Sequence, residues 1–129
     1  MEKFTIYTDG SSRGNPGPGG YGAIIINNGK SEIRNSKSEI REMGGREKET
    51  TNNRMEMMAV IEALSKIPEN TEIEIHTDSE YLMKGATLWI KNWQKNNWRT
   101  KNKKPVLNQD LWQEILALTE NKKISWQKV

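Results

Sequence analysis

The sequence predicts an α/β domain built on a mixed sheet, and three observations carry that reading. Phe4-Thr5-Ile6-Tyr7-Thr8-Asp9 and Glu72-Ile73-Glu74-Ile75-His76-Thr77-Asp78 are strand-like runs that each close on an aspartate. Between them, from Thr50 to Leu64 and on to Ile67, Met57, Val60, Ile61, Leu64 and Ile67 recur at the three-and-four spacing of a helix with one buried face. Glu56 stands one residue before that series, in the first turn, where the helix dipole favours a carboxylate. Strands joined through helices can lie parallel, with right-handed crossovers, and sites in such sheets form at the carboxyl ends of adjacent strands. If the first and fourth strands are neighbours, Asp9 and Asp78 share that end, and the helix brings Glu56 beside them.

In chain order, the first strand runs from Phe4 to Asp9. Asp9-Gly10-Ser11-Ser12 through Gly20 is too rich in glycine and proline for a helix and reads as a loop into a second strand, Tyr21 to Ile26. Gly17-x-Gly19-x-x-Gly22 has the spacing of a dinucleotide fingerprint, but a β-branched run follows instead of the helix that motif needs. Asn27-Asn28-Gly29-Lys30 signals a tight hairpin, and Ser31 to about Met43 reads as the returning third strand. Gly44 to Glu49 reads as a polar, mobile connection to the central helix. Pro68-Glu69-Asn70 stops that helix, and Glu72 to Thr77 is the fourth strand. Ser79 to Met83 and Trp89 to Lys95 are short helical pieces, Asn97 to Pro105 a basic loop, Asn108 to Glu120 a helix, and Lys123 to Val129 the last strand.

Each acid also has an ordinary explanation. Asp9 precedes a glycine as turn aspartates do, Asp78 can cap a helix, and Asn53-x-x-Glu56 fits a capping box. Three such coincidences at converging positions favour one common role. A carboxylate set without histidine or thiolate suits hard cations, and Mg²⁺ takes one or two carboxylates with waters and substrate phosphate. Two such ions roughly 4 Å apart orient an attacking water and stabilise the leaving oxygen of a phosphodiester, with no protein nucleophile. Asp9 is the natural bridge between them.

Composition agrees. The 129 residues make one domain without a linker or repeat. Cysteine is absent, which excludes disulfides, thiolate metal sites and a cysteine nucleophile, and the first residues lack a signal peptide's apolar run, so the expected location is cytoplasmic. The net charge of +3 is unevenly spread. Between Glu80 and Asp110 there is no acid, while Lys84, Lys91, Lys95, Arg99, Lys101, Lys103 and Lys104 make a basic segment on an otherwise acidic chain. Cations there neutralise phosphates, and the faces of Trp89 and Trp93 can pack on sugars or bases, although four residues apart on a helix they can equally pack on each other or the core.

At this point the chain resembles a known family. Tyr7-Thr8-Asp9-Gly10-Ser11, Gly14 through Gly22, Thr51-Asn52-Asn53-Arg54-Met55-Glu56, Thr77-Asp78-Ser79 and Trp89 through Trp93 resemble bacterial ribonuclease HI from residue 4 to the end. The resemblance implies a five-stranded mixed sheet in the order 3-2-1-4-5, helices on both faces, and endonucleolytic cutting of RNA in RNA–DNA hybrids by two-metal-ion hydrolysis. Asp9, Glu56 and Asp78 match three of the family's four metal-binding carboxylates, with Mg²⁺ the expected ion and Mn²⁺ an alternative. Asn15, Asn52 and Asn53 match positions that read RNA sugars, where the 2′-hydroxyl distinguishes RNA from DNA. Thr51 and Asn108 match a pocket for a DNA-strand phosphate, and Trp89, Trp93 and Lys95 a basic protrusion that holds the DNA strand, with Trp93 and Lys95 the favoured contacts. Glu80 stands where many relatives carry glutamine, and Glu49 where an arginine completes the phosphate pocket.

The expected partner is thus the hybrid, with no membrane and a monomeric chain. After the last strand the family continues into a histidine loop, a fourth carboxylate and a final helix. None of these follows Val129, so residues 1–129 read as one C-terminally shortened domain with weaker catalysis and an uncovered sheet face or edge. His76 lies within a strand and does not replace the loop histidine. The alternative reading is a weak or inactive module that binds hybrids or double-stranded RNA. Three retained carboxylates argue against it, because their mutual repulsion destabilises a protein that holds no cation. A DNA-cutting integrase or resolvase sharing the fold is disfavoured by the Asn52-Asn53 pair and the Trp89 segment.

Overall fold

The structure, a computed structural model, describes residues 1–28 and 39–129. Alternating side chains make β1 (Lys3–Ser12), whose Phe4 and Ile6 are buried while Tyr7 faces out. It pairs antiparallel with β2 (Gly17–Asn27), which pairs antiparallel with β3 (Glu39–Thr50). The central helix, α1 (Asn52–Ser65), carries the chain over to β4 (Glu72–Thr77), which lies parallel to β1 with Ile6 beside Ile75. β5 (Lys123–Lys128) adds parallel to β4, and the sheet order is β3-β2-β1-β4-β5, as expected.

Four helices complete the described residues: α1, α2 (Glu80–Lys84), α3 (Ile90–Lys95) and α4 (Gln109–Thr119). The core lies between one sheet face, with Ile6, Ile25, Ile73 and Ile75, and the face of α1 that bears Met57, Val60, Ile61 and Leu64. Burial of each such side chain contributes roughly 1.5–3 kcal/mol, which holds α1 rigidly on the sheet. Helix α4 packs on α1 and sends Trp112 into the core, where it is fully buried.

A turn of π-helix, Gly85–Trp89, joins α2 to α3. Gly85 lies against the Trp112 indole, so close that a Cβ would fall 2.1 Å from the ring. Only a glycine lets this turn approach the tryptophan.

Three expectations need correction. Helices on both faces were expected, but the described helices pack on one. In β4 only Ile73, Ile75 and Thr77 are buried, so a single face is apolar, and on the other face Tyr7, Ile24 and Ile40 stay exposed. The run Gly44–Glu49, read as a mobile connection, is strand. It is held by pairing with the glycine-rich start of β2, Gly20 opposite Arg46 and Gly22 opposite Gly44, so two segments of poor strand propensity support each other. Third, β1 continues past Asp9 to Ser12 because the same glycine run pairs with it. The expected hairpin tip at Gly29 and Lys30 and the start of the third strand at Ser31 lie outside the described residues.

Candidate active site

Three elements bring the acids together. The parallel register sets Tyr7 beside His76, so two residues further on Asp9 in β1 and Asp78, the residue just past β4, come out at the same end of the sheet. The first turn of α1 rests directly on β1 at Gly10, where a Cβ would lie 2.5 to 2.8 Å from the backbone of Met55 and Glu56. That close approach lowers Glu56 onto the aspartates. One oxygen from each of Asp9, Glu56 and Asp78 lies within 4.8 Å of the others.

The ordinary explanations of these acids do not hold. Thr51 caps α1, its hydroxyl accepting from the Arg54 N–H at 3.2 Å, so Asn53 and Glu56 form no capping box. Ser79 caps α2 by accepting from the Leu82 N–H at 3.1 Å, which leaves Asp78 free of that role. Asp9 sits inside a strand opposite Gly22 and not at a turn.

Asp9 and Asp78 are exposed, whereas Glu56 is buried and its Oε2 has no hydrogen-bond partner. Burial pushes its pKa up to about 7; the charges of Asp78 and Asp9 and a proton shared with Asp78 push the same way, against donation from the Gly10 N–H. A buried carboxylate in this position is relieved by a proton or by a cation. An all-oxygen donor set with an orphaned oxygen fits a hard divalent ion.

The rim beside the acids is fixed by a small polar network. Asn52 Oδ1 accepts from the Ser12 N–H at 2.6 Å, and Asn15 Oδ1 accepts from the Asn52 N–H at 3.0 Å. The Ser12 hydroxyl donates to the Gly14 carbonyl at 2.6 Å and lies 3.0 and 3.1 Å from the two carboxamide oxygens. Both asparagines therefore turn their oxygens inward and keep their Nδ2 groups free as donors among the described residues. The Asn53 side chain also has no hydrogen-bond partner there.

Behind this rim Arg54 bonds bidentate to Asp110, at 3.0 and 2.8 Å, and donates to Asn108 Oδ1 at 3.2 Å. Asn108 in turn donates to the Tyr81 hydroxyl, which also accepts from the Trp112 indole, each at 3.1 Å. Thr51 and Asn108 thus meet through Arg54, which locks the first turn of α1 to that of α4. Glu49 and Lys48 are exposed, with no ion pair among the described residues.

The family model for RNase H matches residues 1–129. The chain belongs to the ribonuclease H family. It is similar to a ribonuclease H of Thiobacillus denitrificans, 46% identical over 124 residues, which cover 96% of this chain and 78% of that one. Among solved structures it resembles LC9-RNase H1, a type 1 RNase H with the type 2 active-site motif. The TM-score there is 0.85 at 28% identity, covering 100% of this chain and 63% of that one. It also shares its fold with LC11-RNase H1, solved in complex with an RNA/DNA hybrid, at TM-score 0.64 and 24% identity over 98% of this chain and 84% of that one. Enzymes of the ribonuclease H family are metal-dependent, and the three acids form a cluster able to hold a metal.

Against that family background the remaining expected residues divide. Trp93 is half-buried, with ring centroids 5.5 Å from Trp112 and 6.3 Å from Trp98, so it builds the base of the aromatic stack. Trp89 leans on it at 5.9 Å and is 36% exposed, which makes Trp89 and the exposed Lys95 the accessible pair. A groove of about 330 Å³ beside them is lined by Trp89, Asn92, Trp93, Asn96, Arg99 and Lys101. Glu80 is exposed, and a hydrogen bond from Lys128 at 2.9 Å, with Lys84 at 3.9 Å, holds its carboxyl below the usual range. Lys128, Ser12 and the Arg54–Asp110 pair escaped the sequence reading. Each acts through a partner at least forty positions away, and no local spacing marks such a pair.

Proposed function

We propose that this chain hydrolyses the RNA strand of RNA–DNA hybrids, with Asp9, Glu56 and Asp78 as the metal-binding carboxylates. The observation that carries the reading is the convergence of three acids on a buried, unpartnered Glu56 oxygen in a member of the ribonuclease H family. Two Mg²⁺ ions, or Mn²⁺ in their place, would supply an activated water and charge stabilisation at the leaving oxygen. The protein's own residues place the hybrid.

The free Nδ2 donors of Asn15 and Asn52 lie beside the acids, where they suit the acceptor oxygens of a ribose edge. Arg54 and Asp110 hold Asn108 in place for a phosphate of the other strand, together with Thr51. Trp89 and Lys95 offer an aromatic face and a cation to the same strand. The pairing of Glu80 with Lys128 and Lys84 offsets part of its repulsion toward the polyanion.

The test is incubation with an end-labelled hybrid in Mg²⁺ and, separately, Mn²⁺. Cutting of the RNA strand that disappears in Asp9→Asn, with the fold retained, is the expected result. Equal cutting by the variant overturns the role of the acids. Binding without cutting by the parent chain overturns hydrolysis.

A further inference from the structure

Two exposed arginines share a groove on the sheet. On the face turned away from α1, cross-strand partners line up as Ser11, Gly20 and Arg46 in one row and Asp9, Gly22 and Gly44 in the next. The space above the two β2 glycines holds little protein: a Cβ on Gly22 would meet only the Met43 carbonyl at 3.8 Å, and one on Gly20 only the Gly45 carbonyl at 3.3 Å, whereas one on Gly44 would press on the Tyr21 carbonyl at 2.8 Å. An open groove of about 460 Å³ follows from this, lined by Ser11, Ser12, Arg13, Pro18 and Arg46, with Gly19 and Gly20 as its floor. Arg13 and Arg46 are exposed, and neither guanidinium has an ion-pair partner among the described residues. Glu47, adjacent to Arg46, points to the opposite face.

We propose that Arg13 and Arg46 clamp a backbone phosphate of the RNA strand in this groove, a few nucleotides from the cleaved linkage. A smooth glycine floor with two free forks above it fits a phosphodiester, because guanidinium groups bind phosphate bidentately and bare backbone lets the chain lie close. The strand is assigned by position. β2 and β3 lie on one side of Asp9 and β4, β5 and the helices that follow β4 on the other, so the groove and the Trp89–Lys104 cations flank the acids from opposite sides. The groove adjoins Ser12, whose partners Asn15 and Asn52 present the proposed ribose contacts. By sheet geometry Arg46 is roughly 12 Å from Asp9 between Cα atoms. A strand advances about 3.4 Å per nucleotide along the helix axis, so that distance corresponds to a few linkages.

This inference rests on the hybrid-cutting reading, and its test separates the two. Binding of a hybrid to Asp9→Asn is measured against salt, alone and with Arg13→Ala and Arg46→Ala added. The double substitution is expected to weaken binding about tenfold near 0.1 M salt and to make the slope of log K against log salt shallower by about one to two. Lysine at both positions is expected to restore the slope but only part of the affinity. In the Asp9-containing chain the double substitution is expected to raise KM and leave kcat within twofold. A single uncharged methylphosphonate linkage, walked along each strand, is expected to weaken binding of Asp9→Asn at one or two RNA-strand positions and to have no effect there in the arginine variant. An unchanged salt slope overturns the clamp, and a loss of sensitivity confined to DNA-strand positions overturns the strand assignment. Failure of the parent chain to bind or cut hybrid overturns the underlying reading instead.

Discussion

At the residue scale, Glu56 combines burial, two neighbouring acids and an oxygen without a partner. Its proton is held to about pH 7 in the folded chain but is released near 4.5 when unfolded. Folding therefore takes up a proton between those values. The resulting stability is fully present below about 4.5 and is lost as pH rises through about 7. Metal-free protein is expected to melt at a lower temperature at pH 8 than at pH 5, with on the order of 3 kcal/mol at stake as an upper figure. Glu56→Gln is expected to flatten that dependence and to be the more stable form at pH 8 in chelator. Millimolar Mg²⁺ is expected to stabilise only the parent. Identical pH profiles for parent and variant in thermal melts would count against this account. The sequence located this residue but not its state, since the burial and the aspartates beside it come from elements 22 and 47 positions away along the chain.

At the element scale, two glycines set where helices sit. Gly10 lets α1 rest on β1, so Gly10→Ala is expected to lift the first turn of α1 and carry Glu56 away from Asp9. All three acids remain, yet the Mg²⁺-dependent rise in melting temperature is expected to shrink or vanish. Gly85→Ala drives a methyl group into the Trp112 ring and is expected to cost about 2–3 kcal/mol in urea unfolding, through overpacking. A cost below 0.5 kcal/mol would mean the π turn can move aside. Elements whose own residues decide them were legible: β4 by alternation and α1 by helical spacing. The second part of β3 was not, because Gly44 to Glu49 becomes strand only through its partner Gly17 to Gly22, and pairing partners are invisible in a local window. The π turn was missed for a similar reason, since its cause is a tryptophan 27 residues later.

At the scale of the whole molecule, the net charge of +3 conceals opposed regions, with the basic segment after Glu80 on one side of three clustered acids. Hybrid affinity is expected to fall steeply with salt. Alanine at Lys95, Arg99 and Lys101 together is expected to reduce the slope by about two to three, in proportion to the phosphate contacts removed. A filter-binding titration across salt concentrations reads this directly, and an unchanged slope would mean those cations are only solvated. The sheet order was legible through motif resemblance rather than through periodicity, which says which runs are strands and not which strands are neighbours.

The parallel pairing of β1 with β4 also sets an order of events during folding. Asp9 enters the sheet early through the local hairpin with β2, but Asp78 joins it only after a connection of some sixty residues has closed, and such distant closures are slow. No fragment ending before β4 can gather the full set of acids. Cation capture is therefore expected to be a late event, and an ion with an optical signal, such as Tb³⁺, added to refolding chain is expected to light up when the crossover docks and not when the hairpin forms.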